Sequence, residues 1–102
     1  MLKKLRQIIQ SIAKKYQPQQ IIAYGSVVQG KTKPTSDLDL VIIKNTKKQF
    51  YDRIHSVNQT FKPSIPTDIV VYTPKEFKDV STWNYFIQQE VLKKGQVVYD
   101  NQ

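Results

Sequence analysis

Leu2, Leu5, Ile9, Ile12 and Tyr16 recur at spacings of three and four, with Ile8 beside them. That spacing collects apolar side chains on one side of an α-helix, so residues 2 to 16 are predicted as an amphipathic helix with Lys3, Lys4, Arg6, Lys14 and Lys15 on its wet side. Pro18 ends it, because the residue before a proline is pushed out of the helical region. Ile21-Ile22-Ala23-Tyr24, stopped by Gly25, reads as a short buried strand, and residues 26 to 30 as one short helical turn before a polar loop over residues 31 to 35 that contains Pro34.

From Asp37 to Ile43 the chain alternates carboxylate and aliphatic and then becomes continuously apolar, as suits a strand whose far end enters the middle of a sheet. Phe50, Ile54, Val57 and Phe61 return at spacings of four, three and four and predict a helix over residues 47 to 61. Residues 67 to 72 form a strand bounded by Pro66 and Pro74. Thr73 then caps, and Pro74 opens, a helix through about residue 80. Ser81 or Thr82 is placed to cap a further helix, ended by Gly95, on which Trp83, Phe86, Ile87 and Val91 share a face; residues 96 to 99 close the order as a strand. The resulting α-β-α-β-α-β-α-α-β order is an α/β (α+β) domain around a small mixed sheet of about four strands flanked by helices.

Composition narrows this without redirecting it. The 102 residues are expected to form one domain, with 39% hydrophobic and 24% charged residues, far from the balance of a disordered chain. No apolar run approaches a membrane span, the first residues lack the apolar core of a signal peptide, and there is no cysteine, so a cytoplasmic protein without disulfides or thiolate metal sites is expected. The net charge is +8, yet three of the eight acids, Asp37, Asp39 and Asp68, belong to one candidate constellation. The remaining surface is basic, which favours a polyanionic ligand or an acidic partner; a charge that only confers solubility is the plain alternative.

That constellation begins with Gly25-Ser26, a turn whose backbone amides and hydroxyl suit a phosphate tail. Asp37 and Asp39, at i and i+2 on an extended strand, lie about 6.6 Å apart on one face, with Leu38 and Leu40 on the other. Two such carboxylates repel unless a cation sits between them, and magnesium is expected because the chain offers only hard oxygen ligands. Asp68 opens the otherwise apolar strand Ile69-Val70-Val71 and should lie at the sheet's mouth near the first pair. Three carboxylates around two metals roughly 3.5 to 4 Å apart would clamp an in-line displacement at phosphorus. Each piece alone has an ordinary reading: a plain turn, a solvated strand edge, a strand-start residue. Their order and spacing in one short chain favour the joint one.

At these residues the chain resembles the minimal nucleotidyltransferases of the polymerase beta-like superfamily, whose signature is Gly-Ser, a glycine four residues after the serine, Ser-Asp-x-Asp-Leu and a later strand carboxylate. Gly25, Ser26, Gly30, Ser36, Asp37, Asp39 and Asp68 match in order. The resemblance implies transfer of a nucleoside monophosphate, usually from ATP, to a hydroxyl with release of pyrophosphate. It implies that Asp37 and Asp39 bind two magnesium ions, that Asp68 binds the catalytic one and helps deprotonate the acceptor, and that Gly25, Ser26, Gly30 and Ser36 hold the nucleotide. Members commonly carry a basic residue before the second glycine; Gln29 stands there instead, with Lys31 and Lys33 following, which bears on nucleotide affinity rather than on the metal.

Larger relatives carry an acceptor-binding domain, for which this chain is expected to have no room. Stand-alone members resemble antitoxins, paired with a HEPN ribonuclease toxin that they silence by adenylylating a tyrosine. Two other readings stand beside this one: a contact-only antitoxin with a vestigial site, whose interface would use Trp83, Tyr85 and Phe86 unless Trp83 and Phe86 are ordinary core, and a transferase acting on RNA. His55, on a predicted helix, reads as a surface or packing residue.

Overall fold

The computed structural model describes residues 3–28 and 37–101. Helix α1 (Lys3–Tyr16) leads into strand β1 (Gln20–Tyr24), a single 3-10 turn at Gly25–Val27, and β2 (Leu38–Ile43). Next come α2 (Phe50–Asn58), β3 (Thr67–Tyr72), α3 (Pro74–Trp83), α4 (Ile87–Lys93), which is wound with the wider π repeat, and β4 (Gln96–Asp100). Gln29, Gly30, residues 31 to 35 and Ser36 lie outside the described residues. The strands form one mixed sheet in the order β3-β2-β1-β4, in which β1 runs antiparallel to β2 and β4 while β2 and β3 are parallel. The expected α+β architecture is the one observed.

Strand alternation sorts the apolar residues onto two faces. Ile21, Ala23, Leu38, Leu40, Ile42, Ile69 and Val71 pack with Leu5, Ile8, Ile9 and Ile12 of α1 and Val57 of α2. Ile22, Val41 and Ile43 pack with Ile87 and Val91 of α4, joined by Val70, Tyr72, Phe77 and Val80. Burying each of the four aliphatic side chains of α1 contributes roughly 1.5–3 kcal/mol, which is what holds this lysine-rich helix to the sheet. The helix stops where Gln17 turns to φ 56°, followed by the buried Pro18; Lys44 Nζ donates to the Tyr16 carbonyl at 2.7 Å and lies 4.9 Å from the Tyr16 ring centroid.

Three boundaries differ from the sequence pattern, each for a local reason. Helix α2 spans Phe50–Asn58 rather than residues 47 to 61: Phe61 extends the apolar spacing, but Thr60 has already turned back, its amide and hydroxyl both bonding the Val57 carbonyl. The predicted caps Ser81 and Thr82 cap nothing, because their hydroxyls donate backwards to the carbonyls of Phe77 and Asp79, as serine and threonine do inside helices. Helix α3 therefore runs on to Trp83, and Asn84 opens the next segment by accepting from the Ile87 amide at 3.1 Å. The anticipated four-residue face is divided: Ile87 and Val91 are core, whereas Trp83 and Phe86 are 64% and 52% exposed.

An ion pair absent from the sequence pattern fastens α2 to α3. Arg53 is buried, donates from Nε to the Lys48 carbonyl at 2.8 Å and from Nη1 to the Val71 carbonyl, and grips both oxygens of Glu76 at 2.5 and 3.2 Å. Glu76 is also the third residue of the α3 capping box, exchanging bonds with Thr73. Its hydrogen bonds, first from Arg53 and then from Thr73, hold its carboxyl below the usual range.

A depressed carboxyl contributes stability above its unfolded pKa and loses it as pH falls through the lower folded value. Chemical denaturation of Glu76→Gln should therefore show a loss of about 1–3 kcal/mol at pH 7, moderated by the 45% exposure of the Glu76 side chain. Below about pH 4.5 the difference from wild type should shrink; a constant gap down to pH 2 would mean that the charge of Glu76 is not what stabilises. At the other end of the sheet, a Cβ on Gly95 would stand 2.2 Å from the Val91 carbonyl oxygen and 3.1 Å from Ile22 Cγ2. Gly95→Ala should cost roughly 1–3 kcal/mol by the same measurement, since backbone must move to make room.

Candidate active site

The register of β2 decides which groups meet at the mouth of the sheet. Leu38 and Leu40 are fully buried toward α1, so Asp39 between them takes the opposite face; Asp37, expected to open the strand, lies just before β2 and close enough for its charge to be felt at Asp39. Antiparallel pairing sets Asp39 against Tyr24, the last residue of β1, and parallel pairing sets it against Asp68, the second residue of β3. Two carboxylates from strands 29 residues apart in sequence thus stand side by side, although nothing in the local sequence pairs them. Asp68 is exposed, Asp39 half-buried, and Asp37 exposed just before β2 begins.

Gly25 follows Tyr24 with φ +80°, a conformation open chiefly to glycine, and turns the chain across Asp39. A Cβ at this position would lie 2.6 Å from Asp39 Oδ2, so the missing side chain is what lets the backbone lie against the carboxylate. The 3-10 turn then carries Ser26, and Tyr24 supplies no side-chain cap to it. The helical turn expected over residues 26 to 30 is seen over Gly25–Val27, and Gln29 and Gly30 lie outside the described residues.

The electrostatics follow from this crowding. Burial, then the charges of Asp68 and Asp37, push the Asp39 carboxyl up. The Tyr24 hydroxyl is pushed up to about 12, by burial first and then by Asp39 and Asp68. Tyr24 was legible in the sequence only as a strand residue; antiparallel pairing places it at the site, and its ring meets Phe86 edge-on at 5.6 Å. The exposed Trp83 and Tyr85 precede Phe86 in sequence.

Among the described residues, no group of three or more acidic or histidine side chains is gathered closely enough to hold a metal ion. Mutual repulsion of uncompensated carboxylates acts against such gathering. The donor chemistry nevertheless fits a hard divalent cation: the oxygens are carboxylate, and a neighbouring positive charge would offset both the burial and the repulsion from Asp68 and Asp37 that raise Asp39. Of the seven matched residues, the structure brings Gly25, Ser26, Asp37, Asp39 and Asp68 to one end of the sheet, while Gly30 and Ser36 lie outside the described residues.

Comparison with known proteins bears on the fold and the family. No curated protein matches the chain. A crystal structure of a candidate nucleotidyltransferase from Sulfolobus solfataricus superposes with a TM-score of 0.64 over 96% of this chain and 79% of its own; at 19% identity it shows a shared fold. The family described as "Polymerase beta, Nucleotidyltransferase" matches residues 6–102, nearly the whole chain. The chain belongs to the polymerase beta nucleotidyltransferase family.

Proposed function

We propose that this protein is a magnesium-dependent nucleotidyltransferase that moves AMP from ATP onto a hydroxyl of a partner protein, a tyrosine of a HEPN ribonuclease toxin, and so serves as the antitoxin. The observation that carries the catalytic part is Asp39 held level with Asp68, with Asp37 near enough to raise it and the Gly25 turn lying over it. Asp37, Asp39 and Asp68 would hold the cation, and Gly25 and Ser26, with Gly30 and Ser36, the nucleotide. Bound magnesium would neutralise triphosphate charge and polarise the reacting phosphoryl group.

In this reading the acceptor oxygen attacks the α-phosphorus, forming a phosphodiester while the bond to pyrophosphate breaks; Asp68 receives the hydroxyl proton. The Ser26 hydroxyl and the amides of Gly25 and Ser26 take the β- and γ-phosphates, so that the turn fixes the leaving group in line. A protein acceptor is supported by the exposed rings of Trp83, Tyr85 and Phe86, of which Phe86 meets Tyr24, the residue paired with Asp39. Aromatic residues of this kind commonly anchor protein interfaces. The same rings would serve an antitoxin that acts by contact alone, the second reading. A cytoplasmic site of action is part of the proposal; among the described residues no helix is long and apolar enough to cross a membrane.

The deciding experiment incubates the protein, beside an Asp37→Ala/Asp39→Ala control, with magnesium, α-labelled ATP and a lysate of its source. Label in a protein band, absent from the control, is expected; label in RNA would move the acceptor assignment to nucleic acid, and neutralisation of the toxin by the control would favour contact alone. With a purified acceptor, Asp39→Asn and Asp68→Asn should each lower the turnover rate by at least about 100-fold while circular dichroism stays unchanged. Wild-type rates in either variant would sink the mechanism. Gly25→Ala should lose both ways, with a slower rate from displacement of Asp39 and a stability cost of about 1–3 kcal/mol from the left-handed backbone; an alanine variant as fast as wild type would show that the close approach is incidental.

A further inference from the structure

A groove of about 760 Å³ runs between α1 and the chain that leaves α2, on the helical layer that covers the opposite side of the sheet from the carboxylates. Lys4, Lys14, Lys15 and Lys62 line it, and among the described residues no carboxylate does. None of these four ammonium groups has an ion-pair partner among the described residues. On an α-helix Lys4 and Lys14 are about 15 Å apart along the axis, with Gln7 and Ser11 between them on the same stripe. Phe61 contributes a partly exposed ring, and Gln59 and Thr60 add neutral hydrogen-bonding groups on the α2 side.

Cations spaced along a trough, an aromatic ring beside them and no acid to oppose a phosphate are the elements with which proteins follow a single nucleic-acid strand. The amides and hydroxyls set between the lysines give a ribose 2′-hydroxyl both donors and acceptors, which a deoxyribose cannot use. We propose that this groove binds single-stranded RNA along its sugar-phosphate backbone. The site is separate from the transferase centre, because its residues belong to the α1 layer and the carboxylates to the α4 side of the sheet. It therefore stands or falls independently of the transfer reaction.

The test measures fluorescence anisotropy of a fluorescein-labelled 15-nucleotide mixed-sequence RNA with the full-length protein, from 50 to 200 mM salt. With about four phosphates neutralised, binding should weaken roughly 50-fold over that range, following a slope near −0.7 per phosphate. Lys14→Gln/Lys15→Gln/Lys62→Gln should bind at least 10-fold more weakly at 50 mM salt with a slope near −0.7, whereas Lys75→Gln/Lys78→Gln, exposed on α3 across the sheet, should bind like wild type. All five positions are exposed, and thermal melts confirm that the variants fold. Equal affinity of the two variants would overturn the groove, as would absence of wild-type binding at 50 mM salt. Equal or tighter binding of the DNA of the same sequence, of the 15-base-pair duplex, or of polyglutamate of equal charge would overturn single-stranded RNA as its ligand.

Discussion

The register between β1 and β2 is the constraint on which the mouth of this sheet depends. Because side chains alternate strictly along a strand, pairing Tyr24 with Asp39 puts Asp39 on the open side and Leu38 and Leu40 in the core; a slip by one residue would bury the carboxylate and expose both leucines. Two kinds of evidence pin the register from either end. Ile21, Ala23, Leu40 and Ile42 lose a core if it moves, and Gly25 can pass over Asp39 only where its φ and its missing Cβ coincide with that carboxylate. The aliphatic packing that stabilises the domain is therefore also what aims the acid.

The second partner of Asp39 arrives through a longer route. Asp68 reaches its level because β3 pairs in parallel with β2 over all six residue pairs, which needs a crossover, and α2 is that crossover. Arg53 secures it by bonding the Lys48 and Val71 carbonyls and the Glu76 carboxylate, so α2, β3 and the first turn of α3 share one guanidinium. A lysine could not replace it, since a single ammonium cannot meet two carbonyls and both carboxylate oxygens in one plane. Buried cation and acid in this arrangement fix how the helices sit relative to the strand that carries Asp68, while burial of apolar surface supplies most of the stability.

Short-range information was legible in the sequence, and long-range pairing was legible only at Asp68, whose charge at the start of an apolar strand places it at the sheet's mouth beside Asp39. The 67-to-72 strand and the proline-led, threonine-capped helix after it were readable because proline and threonine act within a few residues. The face taken by Asp39, opposite Leu38 and Leu40, followed from a period of two. Arg53 was opaque: an arginine on a polar-looking helix becomes core only when Glu76, 23 residues on, comes to it. The α3–α4 junction misled for a similar reason, since Ser81 and Thr82 carry the chemistry of caps and here turn it back on their own helix, leaving Trp83 and Phe86 outside. Tyr24 joined the site through strand pairing alone, which no local spacing announces.

A net charge of +8 would ordinarily ease the ionisation of every acid on a chain, yet Asp39 is pushed the other way. The resolution lies first in the partial burial of Asp39 and then in distance. The groove lysines sit beyond the sheet and a helix layer about 10 Å thick, farther than the roughly 8 Å over which charge is felt at physiological salt, whereas Asp68 is the adjacent residue on the neighbouring strand. The groove lysines thus do not cancel the carboxylates. By standing on the far face, the groove lysines leave Asp39 and Asp68 side by side as a place of concentrated negative charge, where a positive charge brought close would ease the repulsion between them.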